Sequence, residues 1–191
     1  MKQAMTSLLA LTLCACSLTV RPQNPGASPT PVKPSASPSA SPSPAAGECP
    51  SAAVDTSGWQ SVKESGFSFR LPPAFHKVQV QGIDSLVGKW AASETRFVTY
   101  DYGGFSSTLD EGKDVLRDYA ECRISTGSLR ARVVSGFDAG GTWESEKPKY
   151  VVAAAWRDIK PGLHLTMTTT SDQVDQAAEL YAILRSVRFV P

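Results

Sequence analysis

The sequence predicts an α+β fold, an antiparallel sheet covered by helices with a long amphipathic helix near the C-terminus. Three observations carry this. Short runs of alternating apolar and polar residues recur from Phe67 to Thr168. One run, Tyr150 to Trp156, is apolar on both faces. A clear helical period of apolar residues sets in once, after Thr170.

Taken in order, "GFSFRLPP" alternates Phe67, Phe69 and Leu71 with Ser68 and Arg70, a half-buried strand stopped by Pro72 and Pro73. Short strands are expected at Val78–Val80, Leu86–Ala91, Arg96–Tyr102 and Tyr119–Ile124, with a weaker helix signal at Asp110–Leu116. After a turn at Ser125-Thr126-Gly127, "SLRARVV" sets Leu129, Ala131 and Val133 against Arg130 and Arg132, which reads as the second arm of a hairpin. "YVVAAAW" then reads as a central strand covered on two sides. "LHLTMTT" is one-sided, with Leu163, Leu165 and Met167 facing the core. Thr170-Ser171-Asp172-Gln173 has the spacing of a capping box, and Val174, Ala177, Ala178, Tyr181 and Leu184 continue at helical spacing to Ser186. A last strand, "VRFV", closes the chain.

Ahead of this domain, Met1-Lys2-Gln3 is followed by the apolar run Ala4–Leu13, about half the roughly 20 residues a membrane-spanning helix needs. An export signal over residues 1–15 is the expectation. At its end, Leu13-Cys14-Ala15-Cys16 resembles the lipobox of bacterial lipoproteins. The resemblance implies cleavage after Ala15, a diacylglyceryl group on the Cys16 thiol, and loss of Cys14 with the signal. It also implies a membrane partner through the lipid, on the cell membrane or outer membrane, with the domain facing the periplasm or the cell exterior. Acyl chains anchor at about 0.8 kcal/mol per buried methylene, so two or three hold where one does not. A metal site built on Cys-x-Cys needs further Cys or His ligands at suitable spacing, and a long stretch without either follows.

Residues 16–47 hold eight of the fourteen prolines and almost no large apolar side chain. Such a Ser-Pro tract is an extended tether of roughly 3 Å per residue, not a core. Residues 48–191 are of the size of one ordinary domain. Its sixteen Lys and Arg against eighteen Asp and Glu give no basic surplus for nucleic acid. The domain keeps two cysteines, Cys49 and Cys122, for which a disulfide is the expectation in an exported chain, the alternative being two buried thiols. Closing a loop of roughly 70 residues stabilises by roughly 4 kcal/mol on chain-entropy grounds.

"GFSFRLP", a mid-domain "YDYGGFSSTL" and the ending "AILRSVRF" resemble the PsbP-like domains, which include small bacterial lipoproteins of unknown role. The likeness spans most of Trp59 to Val190 as a dispersed pattern. It implies a non-catalytic extrinsic, assembly or binding module.

Motifs for chemistry are sparse. Gly104-Phe105-Ser106-Ser107-Thr108 lacks the final glycine of a hydrolase elbow. His76 and His164 have no motif partner, and the carboxylates Asp110-Glu111, Glu144 and Glu146 sit in polar, turn-like surroundings. No metal-binding, cofactor-binding or catalytic set is expected. The expected role is therefore a non-catalytic binding or accessory module taking an envelope protein or a small ligand, with an envelope-acting hydrolase as the alternative. The candidate binding element is the Gly-rich stretch Ser135–Lys149, which carries Phe137 and Trp143 among charges; the competing reading tucks Trp143 against the sheet edge.

Overall fold

The computed structural model describes residues 47–103, 109–110, 112–140 and 146–190, all within one compact unit. Strands hold 53 % of the described residues and helical turns 12 %, so the molecule is mostly β and not the helix-covered α+β fold expected from the sequence.

Two antiparallel sheets make it up. The smaller joins β1 (Gln60–Glu64), β2 (Phe67–Leu71) and the terminal β10 (Arg188–Phe189), with β2 in the middle. The larger contains β3 (His76–Val78), β4 (Leu86–Ala91), β5 (Phe97–Gly103), β6 (Arg117–Thr126), β7 (Leu129–Asp138), β8 (Lys149–Lys160) and β9 (Leu163–Ser171), in the order β3-β4-β5-β9-β8-β7-β6. Two local meanders are thus sewn together by one long-range pairing, β5 with β9, in which Val98 lies opposite Thr169 and Gly103 opposite His164.

Helices are minor. One turn, α1 (Gly112–Val115), precedes β6, and α2 spans only Ala177–Arg185. The long C-terminal helix is therefore replaced by a 3-10 turn at Val174–Gln176 and a nine-residue α-helix. The physical reason lies in the residues expected to cap it. Thr170 and Ser171 are the last two residues of β9, paired with Val151 and Tyr150 of β8, and both are buried. The Thr170 hydroxyl donates to the Thr95 carbonyl at 2.7 Å, and the Ser171 hydroxyl accepts from the Gln173 amide at 3.1 Å. A sheet ladder satisfies those buried backbone groups, so the helix begins later than its apolar period suggests.

The core lies between the two sheets. Phe67, Phe69 and Leu71 turn inward from β2, each at 1 % exposure or less, onto Tyr100, Leu165, Met167 and Trp156 of the large sheet. Leu180, Ile183 and Leu184 of α2 complete this layer. Burying one such side chain stabilises by roughly 1.5–3 kcal/mol. The Trp156 indole donates to the Thr126 hydroxyl at 2.8 Å, which satisfies its only donor. On the far face of the large sheet, Leu109 and Leu116 cover Val134, Val151, Ala153 and Ala155. This cover explains why β8 is apolar on both faces. At the end of the same face, the ammonium of Lys149 and the carboxylate of Asp138 form a buried ion pair at 3.0 Å.

The start of the unit is fastened to β6 twice. The Cys49 amide donates to the Arg123 carbonyl at 2.9 Å and the Arg123 amide to the Gly47 carbonyl at 3.0 Å. Cys49 and Cys122 form the expected disulfide across 73 residues, with Cα atoms 4.9 Å apart. Among the described residues no helix is long and apolar enough to cross a membrane.

Candidate functional site

A groove of about 470 Å³ opens where α2 crosses the inner face of β6, β7 and β8 beside the disulfide. Its walls are small. Ala177 and Ala178 come from the first turn of α2, Ala120 and Cys122 from β6, and Pro50 and Ala52 from the segment that follows Cys49. Larger side chains at the four alanines would fill the space.

The floor is polar and ordered. The Tyr181 phenol donates to the Ser135 hydroxyl at 2.9 Å, with both residues buried. Burial pushes the Tyr181 phenol above its ordinary value; the Ser135 hydroxyl works against that shift and neighbouring Tyr150 reinforces it. The phenol therefore stays neutral through the physiological range and beyond. Ser135, having accepted that bond, keeps its own O–H to donate, and Tyr181 keeps acceptor capacity. An apolar body with one hydroxyl or carbonyl group matches this lining. The two acidic lining residues are engaged elsewhere: Glu48 accepts from the Ser125 hydroxyl at 3.3 Å and Glu121 from Arg132 at 2.9 Å.

The residues singled out in the sequence fall in several places. Cys122 lies in the groove wall, bonded to Cys49. Cys16 and Trp143 lie outside the described residues, as do Gly104–Thr108, Glu111 and Glu144. The stretch Ser135–Lys149 is only partly a connection, because β7 continues through Asp138 and β8 starts at Lys149. Ser135 is thus a strand residue at the groove floor. Phe137 is half-buried on β7 opposite Tyr150, with the Arg117 guanidinium 4.8 Å from its ring centre.

His76 and His164 stand at opposite ends of the sheet. His76 pairs with Ala91, which pairs with Phe97 at the start of β5, whereas His164 pairs with Gly103 at its end. His164 is occupied, its Nδ1 accepting from the Asp158 amide at 3.2 Å. Asp110 pairs with Arg132 at 2.7 Å. Glu146 lies with His76 and Lys89 in an open depression at the β3–β4 edge, where Lys147 and Glu94 pair.

The residues that build the groove carried a signal that alternation counts miss. Ala177, Ala178 and Ala120 occupy positions where a packed face would hold larger side chains. Fold and site together define a two-sheet antiparallel β domain with a lateral, mostly apolar groove. No protein-family model and no curated protein matches the chain.

Proposed function

We propose that this protein is an exported lipoprotein, held through Cys16, whose folded part is a non-catalytic envelope module that binds a small, largely apolar ligand. One observation carries the binding half: a groove of about 470 Å³ with small apolar walls and the Tyr181–Ser135 hydroxyl pair at its floor. The pattern Leu13-Cys14-Ala15-Cys16 supports the anchoring half. The separation of His76 from His164 and from the groove favours binding over acid–base chemistry there.

The test uses the full chain in two forms. In cells, Cys16→Ser should move the protein from the membrane fraction to the soluble fraction; a variant that still sediments with membranes counts against the anchor. With Cys16→Ser as the soluble background, a neutral monoacylglycerol should bind, and Ala178→Trp, at a half-buried position on the groove wall, should remove most of that binding while leaving Tm nearly unchanged. Equal binding by both chains would overturn the groove assignment.

A further inference from the structure

The outer face of the small sheet is basic. Lys63 of β1, Arg70 of β2 and Arg188 of β10 share it, with Ser61 opposite Arg70 and with both Lys63 and Arg188 opposite Ser68. Phe67, Phe69 and Leu71 alternate with these residues and take the buried side, so the cations are left outward by the strand period. Arg185, from the last turn of α2, closes one end. Arg70, Arg185 and Arg188 with Ser61 and Ser68 line a groove of about 400 Å³, and no carboxylate is among its described lining residues.

The three guanidinium groups are fixed by neutral partners. Arg70 donates to the Thr56 carbonyl at 2.8 Å, Arg185 to the Cys49 carbonyl at 2.6 Å, and Arg188 to the carbonyls of Arg185 and Val187 at 2.7 Å. A carbonyl orients a guanidinium without cancelling its charge; Arg185 and Arg188 each keep a fork to spare, whereas Arg70 also reaches the Trp59 carbonyl at 3.4 Å and the Thr56 hydroxyl at 3.5 Å and contributes chiefly its charge. Among the described residues none of the three forms an ion pair. Asp55, on the bordering segment, turns its carboxylate to the Ser57 amide at 2.9 Å. Three like charges around one groove repel each other, and an anion between them relieves the repulsion. Two free forks, the charge of Arg70 and two serine hydroxyls exceed what a carboxylate's two oxygens accept; a phosphate group, with three or four oxygens, matches them better.

This groove adjoins the apolar one. Ala52 lines both, and α2 turns Ala177, Ala178 and Tyr181 to one and Ala182 and Arg185 to the other. Arg185 stands 5.9 Å from the Tyr181 ring centre, at the boundary between them. We propose that the basic groove holds the phosphate group of a single-chain amphiphile whose apolar tail lies in the neighbouring groove. The tail half rests on the binding function proposed above; the phosphate half stands on the arginines alone.

Calorimetric titration of the full chain carrying Cys16→Ser tests this with four probes: inorganic phosphate, glycerol 3-phosphate, a monoacylglycerol and the lysophosphatidate of the same chain length, the last two below their micelle concentrations. Lysophosphatidate should bind at least about tenfold tighter than the monoacylglycerol, which corresponds to a difference of about 1.4 kcal/mol. Arg185→Gln should remove that advantage. Because Arg185 also holds the Cys49 carbonyl beside the apolar groove, Arg188→Gln at an exposed residue outside that groove is the second variant, and it should weaken lysophosphatidate several-fold while leaving monoacylglycerol affinity unchanged. Equal affinity for lysophosphatidate and monoacylglycerol, or unchanged lysophosphatidate binding in both variants, overturns the phosphate site while leaving the apolar groove in place. Glycerol 3-phosphate binding as tightly as lysophosphatidate overturns the amphiphile, and absence of monoacylglycerol binding beside it overturns the apolar groove as well. Inorganic phosphate binding as tightly as every ester would show a free-phosphate site, which also overturns it.

Discussion

Arg132 is the residue on which several separate segments depend. From β7 it donates to Glu121 on β6 at 2.9 Å and to Asp110 ahead of α1 at 2.7 Å, with the Tyr119 phenol 3.4 Å away. The bond from Arg132 holds the Glu121 carboxyl below its ordinary 4.5, with burial pulling the other way. A carboxyl with a depressed folded pKa gives stability that is present above its unfolded pKa and is lost as pH falls through the folded one. Arg132→Met should therefore lower Tm at neutral pH and flatten the loss of Tm between about pH 5 and pH 3. Both partners are partly exposed, so the pair is worth no more than about 1 kcal/mol, a shift of a few degrees. Melting curves of the two proteins that run parallel across that pH range would show that the pair contributes nothing.

Among the elements, strands were legible where one face is buried and the other wet. Leu86–Ala91 forms β4 with the same bounds the alternation gives, and the turn at Gly127 joins β6 to β7 as a hairpin. β1 was silent because Gln60–Glu64 buries only Val62, which leaves no alternation to read. The final helix was overread because an apolar period cannot tell a strand end from a helix start when the residues between are Thr and Ser. Neither groove was legible as a site, although Ser135 and Cys122 of the apolar one stood out for other reasons. The walls of the apolar groove come from positions as distant as Pro50, Ala120, Ser135 and Tyr181, and those of the basic one from Ser61, Arg70 and Arg188, which only the tertiary fold brings together. One contact between elements admits a sharp test. At Gly136 on β7 a Cβ would lie 2.8 Å from the Arg117 carbonyl oxygen and 2.7 Å from the Leu116 Cβ, so the segment after α1 packs directly on the strand backbone. Gly136→Ala should cost about 1–3 kcal/mol and lower Tm accordingly. A wild-type melting curve for that variant would mean the segment lifts off freely.

For the whole molecule, the cross-link from Cys49 to Cys122 joins the first described residues to the edge strand of the large sheet. A closed loop of 73 residues limits the unfolded chain enough to be worth roughly 4 kcal/mol, less any native strain. Replacing both cysteines by Ser should lower Tm by several degrees while the far-ultraviolet dichroism of the folded protein stays the same. It should also weaken monoacylglycerol binding, since Pro50 and Ala52 directly follow the released residue and line the groove. Unchanged stability on reduction would remove the cross-link from any account of the fold. The same cross-link also decides how the domain bears mechanical load. Tension arriving along the backbone at Gly47 passes at Cys49 through two sulfur atoms into the middle of a ten-residue strand, where it meets many hydrogen bonds sheared together. The segment from Pro50 to Trp59 lies off that line of force, so the side of each groove that it supplies stays slack while β6, on the opposite side of the apolar groove, takes the strain.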